Sequence, residues 1–169
     1  MASFYYKHGC GQMAQFVAFR WEDGLIGIGR PDPVTFEDLV GYSRQKEILI
    51  SNTLAFVHGK RSNNILLYGE KGCGKSSSVK ALLNHLAAEG LRMVELTKTQ
   101  LVDFNRVIQD IRNRHHRFIV FIDDLSFEDF ETDYKYIKAN LEGSLEARAD
   151  NVIIYATSNR RHLIKENWG

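Results

Sequence analysis

Residues Gly69 to Ser76 read G-E-K-G-C-G-K-S, which satisfies the phosphate-loop pattern G-x-x-x-x-G-K-[ST]. A loop of this kind turns successive backbone N–H groups toward one point. Glycine is needed there because a Cβ would hold the backbone away from a phosphate oxygen. The start of a following helix adds its own unpaired N–H groups and the positive end of its dipole. In this pattern Lys75 reaches the β- and γ-phosphates, and the Ser76 hydroxyl ligates Mg²⁺. With glycine at about 7% of residues, chance yields this octet in roughly one chain in a hundred or fewer of this size.

A second candidate half of the site ends the run Phe118-Ile119-Val120-Phe121-Ile122-Asp123-Asp124. An all-apolar strand is expected in the middle of a parallel sheet, and ligands gather at the carboxyl ends of such strands. Asp123 is expected to hold Mg²⁺ through its water shell, and Asp124 to orient or deprotonate an attacking water. The alternative use of both carboxylates is to cap the next turn. A third run, Val152 to Thr157, leads into Ser158-Asn159. The Asn159 amide can hydrogen-bond a γ-phosphate or a water without adding charge, or it can simply open a turn.

These residues need elements to hold them. Asn64 to Tyr68 reads as a short buried strand, and Val79, Leu82, Leu83 and Leu86 then recur at helical spacing until Gly90. Further runs at 91–96, about 101–114, 118–123, about 133–147 and 152–157 continue the alternation of strand and helix. That alternation predicts an α/β fold with a parallel sheet between helices. Upstream, Ser43 opens a helix through about Val57. Met13, Phe16, Val17 and Trp21 fall at helical spacing, which predicts a helix to about Trp21. Gly24 to Pro33 then reads as a connector. The expected organisation is an N-terminal helical segment and connector over 1–33 and a nucleotide-binding core over 34–169.

Composition narrows the function classes. A chain of 169 residues supports one domain with a real core, and 44% hydrophobic with 25% charged residues is ordinary for a globular protein. With 22 basic and 21 acidic residues the formal charge is +1, so no global field attracts nucleic acid or an anionic membrane. The local cluster Arg112, Arg114, His115, His116 and Arg117 fits the C-terminal end of a helix better than a nucleic-acid surface. Cys10 and Cys73 make no disulfide framework, and no run approaches the roughly 18 to 20 apolar residues of a membrane span. A cytoplasmic protein without a membrane anchor is expected.

Taken together, G-E-K-G-C-G-K-S, F-I-V-F-I-D-D and Y-A-T-S-N resemble the core of an AAA+ ATPase, a P-loop NTPase, with Asn159 at the sensor-1 position. More narrowly, R-W-E-D-G-L-I-G-I, D-L-V-G-Y-S-R-Q-K, N-N-I-L-L-Y-G, D-D-L-S-F-E and Y-A-T-S-N-R-R-H-L resemble the bacterial AAA+ proteins grouped as the DUF815 family of predicted ATPases. The resemblance runs from about Gly9 to Trp168. It implies ATP and Mg²⁺ as cofactors, with Val40 and Gly41 beside the adenine. Gly69, Glu70, Lys71, Gly72, Cys73, Gly74, Lys75, Ser76 and Ser77 would lie around the phosphates, Ser76 and Asp123 on the metal, and Lys75, Asp124 and Asn159 in catalysis. One departure is that the second acid of the Walker-B strand, usually Glu, is Asp124 here, so its carboxylate stands about one methylene farther from a water.

The resemblance also implies a sheet of order 5-1-4-3-2, a small helical lid and an arginine finger after sensor 1. Gly169 follows Asn159 closely, so strand 5, the lid and the finger are expected to be missing, with Arg160 and Arg161 as the near finger candidates. The expected function is Mg-dependent ATP hydrolysis, low in this chain alone, coupled to assembly or remodelling of an unknown protein partner by a homo-oligomer of the full-length protein. The alternative is a nucleotide-gated scaffold with negligible hydrolysis. A GTPase or small-molecule kinase fits less well, because no N-K-x-D string reads guanine and no arginine-rich lid follows the strands.

Overall fold

Phe118, Val120 and Ile122 point to one side of strand β5 (Arg117–Leu125), Ile119 and Phe121 to the other, and all five are fully buried. A strand with two buried faces needs helices on both sides of its sheet, and the rest of the chain supplies them. The computed structural model describes residues 11–39, 41, 43–69, 74–125, 132, 135, 137 and 149–159, the side chains of 11 and 12 excepted. Strands β1 (Ala18–Trp21), β2 (Leu25–Gly27), β3 (Ile65–Gly69), β4 (Leu91–Leu96), β5 and β6 (Val152–Asn159) form one six-stranded sheet of order β2-β1-β4-β5-β6-β3. Every neighbouring pair is parallel except β1 with β2. The run β3-β6-β5-β4 is the 1-4-3-2 part of the order that the AAA+ resemblance implies. Among the described residues β3 stands at the sheet edge.

One face packs on helix α4 (Phe104–Ile111), whose Phe104, Val107, Ile108 and Ile111 are buried with Met13 and Ile137. The other face packs on α2 (Ser43–Val57) through Leu49 and Phe56, and on α3 (Lys75–Leu86) through Val79, Leu82, Leu83 and Leu86. Burying each of these aliphatic or aromatic side chains stabilises the fold by roughly 1.5–3 kcal/mol before chain entropy is counted. Polar bonds fix α2 in place. The hydroxyl of buried Tyr155 on β6 bonds Thr53 Oγ1 at 2.6 Å and accepts from Asn52 Nδ2 at 2.9 Å. Burial raises the Tyr155 phenol above its ordinary value, which keeps it neutral.

The N-terminal expectation is corrected. The helix there covers only α1 (Gly11–Gln15), and residues 18–21 and 25–27 are strands that extend the core sheet beyond β4. Phe19 and Trp21 share one buried face while Arg20 is exposed, a period of two that overlaps the helical spacing of Met13, Phe16, Val17 and Trp21 within so short a window. The segment before α4 also differs from expectation, since Lys98–Asp103 is a 3-10 turn and only Phe104–Ile111 is α-helix. Beyond α4, Arg114 pairs with Asp110 at 2.8 Å, and the Arg117 guanidinium lies 5.5 Å from the Phe56 ring centre, so part of the basic cluster is spent on internal contacts. Of the apolar face Tyr134, Ile137, Leu141 and Leu145, only Ile137 lies within the described residues, as do neither Arg148, Arg160 nor Arg161.

Two measurements test this packing. A Cβ on Gly27 would lie 2.3 Å from Cδ2 of Phe16, so Gly27→Ala must push the ring off the β1–β2 hairpin. A loss of about 1–3 kcal/mol in denaturant unfolding is expected, and an unchanged midpoint would refute the contact. His116 gives a second test, because its Nδ1 is buried with no partner among the described residues. Burial first, then Arg92, His115 and Arg114, hold it below its ordinary value. The unfolded chain therefore takes up this proton at a higher pH than the folded one. Its contribution to stability is complete above about pH 6.5 and is lost as pH falls through the lower folded value. His116→Gln should flatten the fall in unfolding midpoint as pH drops below about 6.5; parallel curves for parent and variant would refute it.

Candidate functional site

Helix α3 starts from Gly74, which has a left-handed backbone with φ 86°. An added Cβ would meet no atom of the described residues within 4 Å, and the left-handed conformation itself calls for glycine here. The Gly74 carbonyl accepts from the Ser78 amide at 2.9 Å and from the Ser78 hydroxyl at 2.7 Å, which closes the first turn. Lys75 Nζ donates to the carbonyl of Gly69 at the end of β3 at 3.0 Å. The ammonium thus links the start of α3 to the end of β3.

Across from this turn, β5 is irregular. Ile122 pairs with Ala156 and Leu125 with Ser158, so Asp123 and Asp124 together face Thr157 alone. An extra residue of this kind bends a strand and re-aims its side chains, and such bulges recur beside active sites. Asp124 takes the extra turn with φ 61°, a left-handed conformation that aspartate tolerates better than most residues.

Three elements meet on Asp123. Its Oδ1 accepts from the Ser76 hydroxyl at 2.5 Å and from the Thr157 hydroxyl at 2.5 Å. Thr157 Oγ1 also accepts from the Asp124 amide at 2.8 Å, and Asn159 Nδ2 donates to Asp124 Oδ1 at 2.7 Å. A cavity of about 340 Å³ opens over these groups, lined by Gly74, Lys75, Ser76, Ser77, Asp123, Asp124, Thr157 and Asn159. Asp123 is half-buried and Asp124 exposed, so the two carboxylates meet water differently.

The donors suit magnesium. No group of three or more His, Cys, Asp or Glu side chains among the described residues could hold a metal. Magnesium asks for less, since it keeps several waters and binds through one or two carboxylates together with substrate phosphates. Asp123 and the Ser76 hydroxyl, already 2.5 Å apart, provide an oxygen pair of that kind.

Of the residues expected from sequence, Gly74, Lys75, Ser76, Ser77, Asp123, Asp124 and Asn159 line one cavity, and Gly69 is bonded to Lys75. Gly41 is exposed ahead of α2 and does not line it. Val40, Glu70, Lys71, Gly72 and Cys73 lie outside the described residues. Thr157 was not expected. Its signal in the sequence is the period of two that sets it two residues after Tyr155 and two before Asn159, on the α3 face of β6.

Among the described residues no helix is long and apolar enough to cross a membrane. An alignment 120 positions long, covering 61% of this chain, is 29% identical to the "Probable 26S proteasome regulatory subunit 6B" of Caenorhabditis elegans. The match spans 29% of that protein's length. Residues 14–169 match the family described as "Protein of unknown function (DUF815)". With nearly the whole chain inside that match and a P-loop NTPase sheet beneath it, the chain belongs to the DUF815 family and is AAA+ in type.

Proposed function

We propose that this chain binds Mg-ATP at the cavity over α3 and hydrolyses it slowly, as one module of an assembly that remodels a protein partner. The observation that carries this reading is the bonded series from Ser76 through Asp123, Thr157 and Asp124 to Asn159, which draws the helix start and two strand ends to one point. Lys75 and the N–H groups opening α3 would hold the β- and γ-phosphates. Ser76 and Asp123 would hold the magnesium, which when bound offsets charge between those phosphates. Asp124 is exposed, with one carboxylate oxygen tied by Asn159; the other, which has no hydrogen-bond partner among the described residues, would take a water. Guanine is disfavoured, because the reading of its edge by N-K-x-D has no counterpart here.

A second reading is a nucleotide-gated scaffold with negligible turnover. It is favoured by one feature, the 2.7 Å bond in which the Asn159 amide already occupies Asp124. A base tied to a neighbouring amide in this way has less freedom to turn toward a water. Turnover per chain that rises with protein concentration selects the remodelling module, because a site completed by a neighbour depends on assembly. Turnover that stays negligible at every concentration selects the scaffold.

Calorimetric titration with Mg-ATP and Mg-GTP tests the site itself. Lys75→Ala is expected to weaken Mg-ATP binding by about 10- to 100-fold, the loss of charged hydrogen bonds. Binding of neither nucleotide to the folded parent, or equal binding by Lys75→Ala, would overturn the proposal. Asp124→Asn should keep affinity within about twofold while lowering any turnover by about 10² to 10⁴. Unchanged turnover would remove Asp124 from the chemistry.

A further inference from the structure

Thr157 is 2% exposed, and among the described residues its hydroxyl is the one group bonded to both aspartates of the bulge. A hydroxyl has one proton to give and two lone pairs. Here the proton goes to Asp123 Oδ1 at 2.5 Å and a lone pair takes the Asp124 amide at 2.8 Å. The Asp123 carboxylate and the Asp124 backbone are thus set relative to each other through a single buried oxygen. We propose that Thr157 is the positioning residue of the metal site, holding Asp123 in the orientation that receives a divalent cation; this deepens the nucleotide-binding reading above and rests on it.

Ser76 and Thr157 donate to the same carboxylate oxygen, yet their roles differ. Ser76 lies on the helix turn that lines the cavity and is itself a candidate ligand, so its hydroxyl oxygen must be free to face a cation. Thr157 borders the same cavity but is almost wholly buried on β6, where its second bond to the backbone of Asp124 keeps it in place. When Ser76 turns to a cation, Thr157 is the hydroxyl that still fixes Asp123. Asp123 Oδ2 carries no hydrogen bond among the described residues, and Asp123 lines the cavity. The bulge explains why one residue can do this. Two β5 residues face one on β6, so a single side chain reaches the carboxylate of the first and the amide of the second.

Valine keeps the shape of threonine and removes the hydroxyl, whereas serine keeps the hydroxyl and removes the methyl. The test follows a fluorescent ATP analogue on the full chain, first in chelator without metal and then across a range of Mg²⁺. Outer partners of metal ligands are typically worth 10- to 100-fold in metal affinity. In Thr157→Val the Mg²⁺ concentration giving half of the magnesium-dependent gain should rise about 10- to 100-fold. Metal-free ATP affinity should stay within about twofold of the parent, and Thr157→Ser should restore the magnesium response. A magnesium response in Thr157→Val equal to the parent's overturns the inference. So does an equal defect in Thr157→Ser, which would assign the effect to packing, and so does an equal loss of metal-free binding, which would mark a general distortion of the cavity. A parent chain that binds no ATP, with or without Mg²⁺, fails the nucleotide-binding reading itself and this inference with it.

Discussion

One carboxylate oxygen, Asp123 Oδ1, ties the sheet to the helix that follows the phosphate loop. It takes hydroxyl protons from Ser76 on α3 and Thr157 on β6, each at 2.5 Å, so any movement of α3, β5 or β6 breaks a bond to charge. Bonds of this type contribute about 1.5–3 kcal/mol each, more than neutral ones, and losing a single partner strands a half-buried carboxylate at further cost. The layered core makes the arrangement possible. With Phe118 to Ile122 buried on both faces, β5 has no freedom to shift, and its end is delivered to the same place in every molecule.

The same two-sided burial explains which features were legible in the sequence. Glycine and lysine at fixed spacing, an unbroken apolar run ending in two aspartates, and the periodic leucines of α3 are short-range signals whose meaning does not depend on distant neighbours. Helix α2 was legible in the same way, and it runs from Ser43 to Val57, with Ser43, read as the capping residue, already in the helix. The edges of the fold were not. Whether Phe19 and Trp21 belong to a helix or a strand is decided by the parallel partner β4, whose Met93, Val94 and Glu95 align with Ala18, Phe19 and Arg20. No local pattern carries that information. Gly27 had the look of a flexible connector, yet it is needed because the Phe16 ring lies where its Cβ would be.

Thr157 was hidden for a related reason. A threonine in a β-branched strand is unremarked by composition, and its role appears only once the register of β6 against β5 is known. That register contains an irregularity which the sequence does not announce. The all-apolar run predicts a regular strand to Asp123, and strand pairing in fact continues to Leu125 with the bulge between. The aspartates were read correctly as a pair at a strand end. What joins them could not be read, because it comes from 33 and 34 residues away.

The bulge also separates the duties of two acids that sit side by side in sequence. In a regular strand Asp123 and Asp124 would point to opposite faces, one toward α3 and the other toward α4. The left-handed turn at Asp124 removes that constraint, and both side chains line one cavity. They remain unequal, since Asp123 is half-buried beneath two hydroxyls and Asp124 is exposed with one amide contact. A carboxylate with fixed geometry is suited to a cation, whose ligand distances tolerate little error. A carboxylate at the water boundary, held by a single neutral amide, is suited to a solvent molecule that must come and go. A regular pairing in place of the bulge would keep both residues and lose this division, so the proposed function rests on a local break in the sheet as much as on the loop glycines.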